Sequence, residues 1–340
     1  MTTVSIIGSG AWGTAIAAAA DRAGTHTTIW SKDKSTVQGI HATGENPECF
    51  KGHKLSPSIV ATTDLSLACQ ANIIVLSVPA QLVRQVSLEI APLVPEDSYI
   101  VVASKGIEQS TGMLMSEILT ETLPGRSIGI ISGPSFAEEV FLGLPSAVTL
   151  AADTITTSSW LSRAFNSPTL RIYASDDIIG AQIGGALKNV IAIASGIVAG
   201  SHLGENARAM IITRGLSEIS RLAAAKGGKV ETLYGLSGLG DICLTCTSPT
   251  SRNFKFGIEI GEGKSVKEVL LNSKSLTEGL YTSSTITILA ESLGVDMPIC
   301  KAVDDILNHG AEISEAMNVL MDRPPATEYV PHTHYGGQTS

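Results

Sequence analysis

Lys188 stands inside AQIGGALKNVIAIASG (residues 181–196), a stretch otherwise apolar or small apart from Gln182 and Asn189. A lone ammonium there is costly unless it is paired, neutralised or used. On a helix its neighbours are Gly184, Gly185, Ile191 and Ala192. Helical side chains lean toward the N-terminus, so Lys188 lies over two glycines that leave room for a small molecule. The plain alternative is a packed stem whose head snorkels to water. The scarcity of polar compensation speaks for a working lysine. A second dense stretch is GLSGLGDICLTCTSPTSRNFKFG (residues 235–257). Asp241 is a carboxylate that could orient Lys188. Ser251 reads as a helix N-cap, with Arg252 and Asn253 in the first turn; free N–H groups, the helix dipole and a guanidinium make an anion site. Simple capping by Ser251 and a surface Arg252 are the alternatives. Cys243-x-x-Cys246 has no second pair and no nearby histidine, so we expect buried thiols and no metal.

VSIIGSGAWGTAIAAAADRAG (residues 4–24) places Gly8, Gly10 and Gly13 in a G-x-G-x-x-G pattern between an apolar run and an Ala-rich helix. Gly8 permits the tight turn, Gly10 lets a pyrophosphate approach the backbone, and Gly13 lets helix and strand pack closely. Trp12 is either a core residue or a wall of the cofactor site. The next strand ends at Trp30 and continues Ser31-Lys32-Asp33, with no carboxylate at the strand end to bond both ribose hydroxyls. Ser31 and Lys32 then offer a hydroxyl and a charge to a 2′-phosphate, unless Lys32 sits in an ordinary polar turn or Asp33 reaches the ribose. Together these predict use of both cofactors with a modest preference for NADPH. Three further strand ends are marked: Ser77–Pro79, Ser104–Gly106 and Ser132–Glu139. Lys105 there points into the crevice where open α/β sheets bind ligands, or else is a solvated loop lysine. Gly133-Pro134-Ser135 is a rigid turn with free N–H groups, and Glu138 and Glu139 are expected on a helix surface.

The elements that must hold these groups are legible in outline. VSIIG, TTIW, NIIVLSV, YIVVAS, SIGIIS and SAVTLAA, with LRIYAS as a further candidate, alternate with helical stretches and predict a parallel, doubly wound sheet. From Asp176 the pattern is helical. Ile178–Gly200 is long enough for a membrane span, but its glycines, Gln182, Lys188 and polar flanks predict a buried helix instead. With 44% hydrophobic and 16% charged residues, the 340-residue chain can build two cores. Its net charge of −9 argues against nucleic acid or an anionic membrane as partner. Five scattered cysteines and a start without a basic leader suggest the cytoplasm. After Arg323 the Pro- and Gly-rich end reads as a disordered tail, in which His332 and His334 could touch a metal.

GSGAWGTAIA, SKGIE, ISGPSFAEE, GGALKNVIAI, ITRGLSEI, GLGDICLTCT, SRNFKFG and EGLYT, in this order, resemble the soluble bacterial NAD(P)-dependent sn-glycerol-3-phosphate dehydrogenases. The resemblance implies an α/β protein: an N-terminal Rossmann-type doubly wound sheet (residues 1–177) followed by an all-α substrate and catalytic domain (residues 178–323), then the tail (residues 324–340). It implies cofactor contacts at Ala11, Trp12, Lys32, Lys105, Ala137, Arg252, Leu276 and Glu278, besides the glycine turn. Substrate contacts would be Lys105, Gly133, Ser135, Lys188, Asp241, Ser251, Arg252 and Asn253, with Lys188 as the acid/base, and Lys105 and Asp241 as its catalytic partners. The reaction would interconvert dihydroxyacetone phosphate, a small phosphorylated three-carbon substrate, and glycerol 3-phosphate with NAD(P)H and no metal, feeding glycerophospholipid synthesis, in a homodimer. Two other readings stand beside it. A related β-hydroxyacid dehydrogenase would bind a carboxylate, against which the Ser251–Asn253 cluster speaks. A non-enzymatic NADP-sensing regulator would need none of Lys105, Lys188 and Arg252.

Overall fold

The computed structural model describes residues 2–272 and 278–324. Leu276 and the tail with His332 and His334 therefore lie outside the described residues. The first part alternates strands and helices: β1 (Thr3–Ile7), α1 (Ala11–Arg22), β2 (His26–Trp30), α2 (Lys34–Thr43), β3 (Val60–Thr62), α3 (Leu65–Ala68), β4 (Ile73–Leu76), α4 (Val83–Ile90), β5 (Tyr99–Val102), α5 (Met115–Thr122), β6 (Ile128–Ser132), α6 (Ala137–Leu142), β7 (Ser146–Ala152), α7 (Ile155–Ser162) and β8 (Leu170–Ser175). They form one sheet in the order β3-β2-β1-β4-β5-β6-β7-β8. Strands β4 and β5 are buried on both faces, as their unbroken Ile/Val/Leu runs require. The chain lays β2 and β3 on one side of β1 and then crosses to β4 on the other. Ile7 is in register with both Trp30 and Leu76, so these strands end along one edge at the point where the order reverses. Open α/β sheets bind their ligands there.

The sheet departs from the sequence reading in two ways. Strand β3 has three residues, too few to show an alternating pattern, and was not expected. LRIYAS does form a strand, but β7 pairs antiparallel with β6 and parallel with β8, so the last two strands oppose the others. Between β6 and β7 lies one six-residue helix, roughly 9 Å long, against a seven-residue strand of roughly 23 Å. That helix alone is too short to run the length of the strand, and β7 runs back along β6.

The second part is helical: α8 (Ile178–Gly200), α9 (Glu205–Ala225), α10 (Val230–Leu233), a π turn (Leu236–Gly240), α11 (Asp241–Thr247), α12 (Arg252–Gly261), α13 (Val266–Asn272), α14 (Glu278–Ser292), α15 (Pro298–Asn308) and α16 (Ile313–Met321). Asp177 caps α8, its carboxylate accepting from Gly180 N–H at 2.8 Å. Helix α8 is the axis of this part, and 89% of its most apolar window is buried within the protein. Helix α12 approaches it through four glycines. A Cβ on Gly196 would lie 2.1 Å from Phe254 O, and one on Gly257 2.2 Å from Ile193 O; Gly200 and Gly261 are equally tight. This contact fixes the start of α12 relative to Lys188.

Gly184 and Gly185 serve a different purpose from the one expected. A Cβ on Gly184 would meet Ser237 O at 2.3 Å, and one on Gly185 would meet Ser132 Oγ at 2.6 Å. The space over them admits the protein's own π turn and the end of β6, not a small molecule. Cys243 also departs from expectation. The inward stripe of α11 is Asp241, Ile242, Thr245 and Cys246, which leaves Cys246 buried and Cys243 exposed.

Candidate active site

Three glycines shape the turn after β1. Gly8 has φ +119°, and a Cβ there would sit 2.4 Å from Ser77 O at the end of β4. Gly13 brings α1 onto the turn so closely that a Cβ would lie 2.0 Å from Gly8 O. Gly10 faces open space, with nothing within 4 Å of its would-be Cβ. Helix α1 has no side-chain cap and no acidic residue in its first turn, so its first N–H groups, beside exposed Ala11, are available to an anion. This arrangement suits a pyrophosphate. Trp12 is half-buried, packs on the sheet's core, and its indole N–H has no partner.

At the end of β2, Lys32 is exposed. Asp33 is committed to capping α2: its carboxylate accepts from the N–H groups of Ser35 and Thr36 at 2.9 and 3.3 Å and from both hydroxyls. Those bonds, Ser35's foremost, hold its pKa below the ordinary value. Ser31 is buried, and its Oγ accepts from Ser9 Oγ at 2.7 Å and from Asp33 N–H at 3.2 Å, both bonds leaving its own proton to donate.

Beyond β5, β6 and the π turn the two lysines meet. Asp241, wholly buried, takes one lysine on each oxygen: Lys188 Nζ donates to Oδ1 at 2.6 Å and Lys105 Nζ to Oδ2 at 2.7 Å. Lys188 also donates to Thr245 Oγ1 at 3.1 Å, and Lys105 to the Gly133 carbonyl at 2.9 Å, which Ser135 Oγ shares at 3.0 Å. Two ammonium groups on one carboxylate leave a surplus positive charge. Burial lowers Lys105 to about 8 against the pull of Asp241, and the charge of Lys188 adds to the lowering.

Ser251 caps α12, its Oγ accepting from Phe254 N–H at 3.3 Å, and Arg252 opens that helix exposed to solvent. The Asn253 amide turns inward: it donates to Asn189 Oδ1 at 2.9 Å and accepts from Gly279 N–H at 3.1 Å. Burial raises the Glu278 carboxyl, while the charges of Arg252, Lys188 and Lys105 and the Ala80 N–H oppose the rise. Ala137 opens α6, and Glu138 and Glu139 are exposed on that helix. Sequence reasoning passed over Thr245 and Asn189. The i, i+4 spacing from Asp241 to Thr245 was the available signal for the first; Asn189 adjoins Lys188 but had no pattern of its own.

A glycine turn at the switch point, together with a lysine from the loop after β5 paired through Asp241 with one from α8, defines a two-domain nicotinamide-dependent dehydrogenase. Two family models match, the NAD-dependent glycerol-3-phosphate dehydrogenase N-terminus over residues 3–158 and the C-terminus over residues 177–318. A glycerol-3-phosphate dehydrogenase, NAD(P)+, of Parvibaculum lavamentivorans is 43% identical over 325 residues, 96% of this chain and 98% of the relative. One from Bradyrhizobium sp. strain ORS 278 is 46% identical over 95% of this chain and 97% of its own length. The crystal structure of glycerol-3-phosphate dehydrogenase from Coxiella burnetii superposes with a TM-score of 0.89 at 36% identity, covering 95% of this chain and 99% of that one. The chain belongs to the NAD-dependent glycerol-3-phosphate dehydrogenase family and is an oxidoreductase.

Proposed function

We propose that the protein interconverts dihydroxyacetone phosphate and sn-glycerol 3-phosphate, supplying glycerophospholipid synthesis in the cytoplasm, and that residues 1–177 bind the cofactor while residues 178–323 bind substrate. The observation that carries the reading is the pair of lysines on Asp241 at the carboxyl edge of the sheet. Bound at the Gly8–Gly13 turn, NAD(P)H would supply the hydride in reduction and NAD(P)+ would accept it in oxidation. Lys188 gives a proton to the substrate oxygen at C2 in reduction and takes it back in oxidation. Lys105 stabilises negative charge growing on that oxygen. Asp241 keeps both ammonium groups aimed, and Ser251, Arg252 and the start of α12 hold the phosphate. Asn253 contributes by fixing α12 against Asn189, since most of its amide is engaged there. No step calls for a metal, because two ammonium groups polarise the carbonyl. A steady-state assay with dihydroxyacetone phosphate and each reduced cofactor tests the reading; absence of turnover with both overturns it.

Arg252 separates phosphate recognition from chemistry. Its guanidinium bonds to the phosphate are worth roughly 1.5–3 kcal/mol each. Arg252→Ala therefore lowers kcat/KM by roughly 10–100-fold for dihydroxyacetone phosphate and little for unphosphorylated dihydroxyacetone. Equal losses on both substrates would contradict the assignment.

The pH profile follows from Lys105. Its ammonium is the useful form and is lost as pH rises through about 8, so kcat/KM falls there. Arginine stays charged, so Lys105→Arg moves that limb upward; a limb that stays near 8 belongs to another group. Stability moves the other way. The unfolded lysine keeps its proton to about 10.5 and the folded one only to about 8. Between these values the unfolded state binds more protons, so this group's contribution rises with pH.

For the cofactor we propose dual use with a modest NADPH preference. Support comes from Asp33, whose carboxylate is spent on α2, and from the exposed charge of Lys32. An exposed lysine is screened, so the preference is on the order of 1 kcal/mol. It shrinks in Lys32→Ala and at higher salt. A strong NADH preference at low ionic strength would overturn it.

A further inference from the structure

Residues 44–55 form a strap over the glycine turn that nothing above has used. It begins where Gly44 ends α2 in the left-handed region, and closes on itself through Leu55 N–H to Gly44 O at 2.8 Å and a bridge between Glu45 and Lys54. Its far side is held by Phe50, whose ring stacks on Phe141 of α6 at 4.4 Å between centroids. Inside it lies Asn46, 2% exposed. Its Nδ2 donates to Ser9 O and to Thr14 Oγ1, both at 2.9 Å, and its Oδ1 accepts from Glu48 N–H at 3.0 Å. The Glu48 bond fixes which end of the amide faces the turn. Thr14 Oγ1 donates to the same Ser9 carbonyl at 3.1 Å.

Ser9 O and Gly10 N–H belong to one peptide unit. That unit is planar and trans, so its carbonyl and its N–H point in opposite directions. Two donors hold the carbonyl inward, toward buried Asn46. The Gly10 N–H is thereby turned away from Asn46, on an exposed residue with nothing within 4 Å of its would-be Cβ. We propose that Asn46 is a positioning residue for cofactor binding: with Thr14 it sets the Ser9–Gly10 peptide so that the Gly10 N–H faces a dinucleotide's phosphate before that ligand arrives. This rests on reading the glycine turn as the dinucleotide seat. Asn46 touches neither substrate nor reacting atoms, and its effect falls on cofactor affinity rather than on the chemical step.

The test is NADPH affinity by fluorescence titration of the whole protein, beside steady-state kinetics and thermal unfolding. Asn46→Asp replaces a donor by an acceptor facing the Ser9 carbonyl and repels it. It should raise the Kd and KM for NADPH by roughly 10-fold, with kcat at saturating cofactor within about twofold of the parent and the KM for dihydroxyacetone phosphate unchanged. Thr14→Ser keeps the hydroxyl and should bind as the parent does, whereas Thr14→Val should weaken binding. This pair carries the test if Asn46→Asp does not fold. A parental Kd in both Asn46→Asp and Thr14→Val, or a loss confined to melting temperature and active fraction, overturns the inference. A parent protein that binds no nucleotide overturns the dehydrogenase reading, and the inference with it.

Discussion

Lys188→Met lowers kcat by roughly 10²–10⁴ while cofactor binding stays close to that of the parent. Methionine keeps the length and bulk of the lysine stem, so α8 continues to pack on the π turn. What is lost is the proton donor beside the substrate carbonyl. The substitution is mild for folding: Asp241 keeps Lys105 at 2.7 Å, so one buried ion pair survives and the surplus positive charge disappears. The loss therefore falls on kcat and kcat/KM together, as it does when a group acts only in the transition state. Single-turnover rates with saturating NADPH check it. A variant that keeps most of its kcat would move the acid/base role to another residue, with Lys105 the first candidate.

Asp241→Asn has the larger effect on stability. The carboxylate is wholly buried and both lysines depend on it. Asparagine has the same shape, but its amide NH2 must face one of two ammonium groups, donor against donor. Breaking a buried ion pair by removing one partner costs about 3–5 kcal/mol, and here two cations lose their counter-charge at once. Without Asp241, which raises Lys105, the pKa of that lysine falls below about 8. The site then sheds a proton near neutrality, which limits the cost. The destabilisation should accordingly be largest near pH 6 and smaller near pH 9, where Lys105 is mostly neutral even in the parent. Urea unfolding at both values measures it. Equal losses at the two pH values would show that Asp241 acts through packing rather than charge. Activity falls as well, because neither ammonium stays aimed at the substrate oxygen.

The local parts of this design are readable from residue order alone. A glycine turn between an apolar run and an Ala-rich helix carries its own backbone signature, and the helical periodicity after Asp176 sets the length of α8. Lys188 is conspicuous because its neighbours one turn away, Gly184, Gly185, Ile191 and Ala192, are all apolar or small, so burial and a partner follow from desolvation. Ser251 announces a cap by type and position. Each of these depends on forces acting within a few residues.

Contacts between distant segments were decided by the tertiary structure. Asp241 lies 53 residues from Lys188 and 136 from Lys105, and only the packing of the π turn on α8 brings a lysine to each of its oxygens. No pattern in SAVTLAA says that β7 runs against β6; that pairing appears only in the assembled sheet. Nor does residue order say that the Asp33 carboxylate caps α2. Residue order does not say that Ser31 takes bonds from Ser9 and Asp33 on its oxygen. Asn46 reads as an ordinary loop residue until the strap folds over Ser9. Residue type limits which bonds a side chain can make. Which of them it makes depends on the neighbours that packing delivers, because a buried polar group must satisfy itself with whatever partner lies within hydrogen-bonding reach.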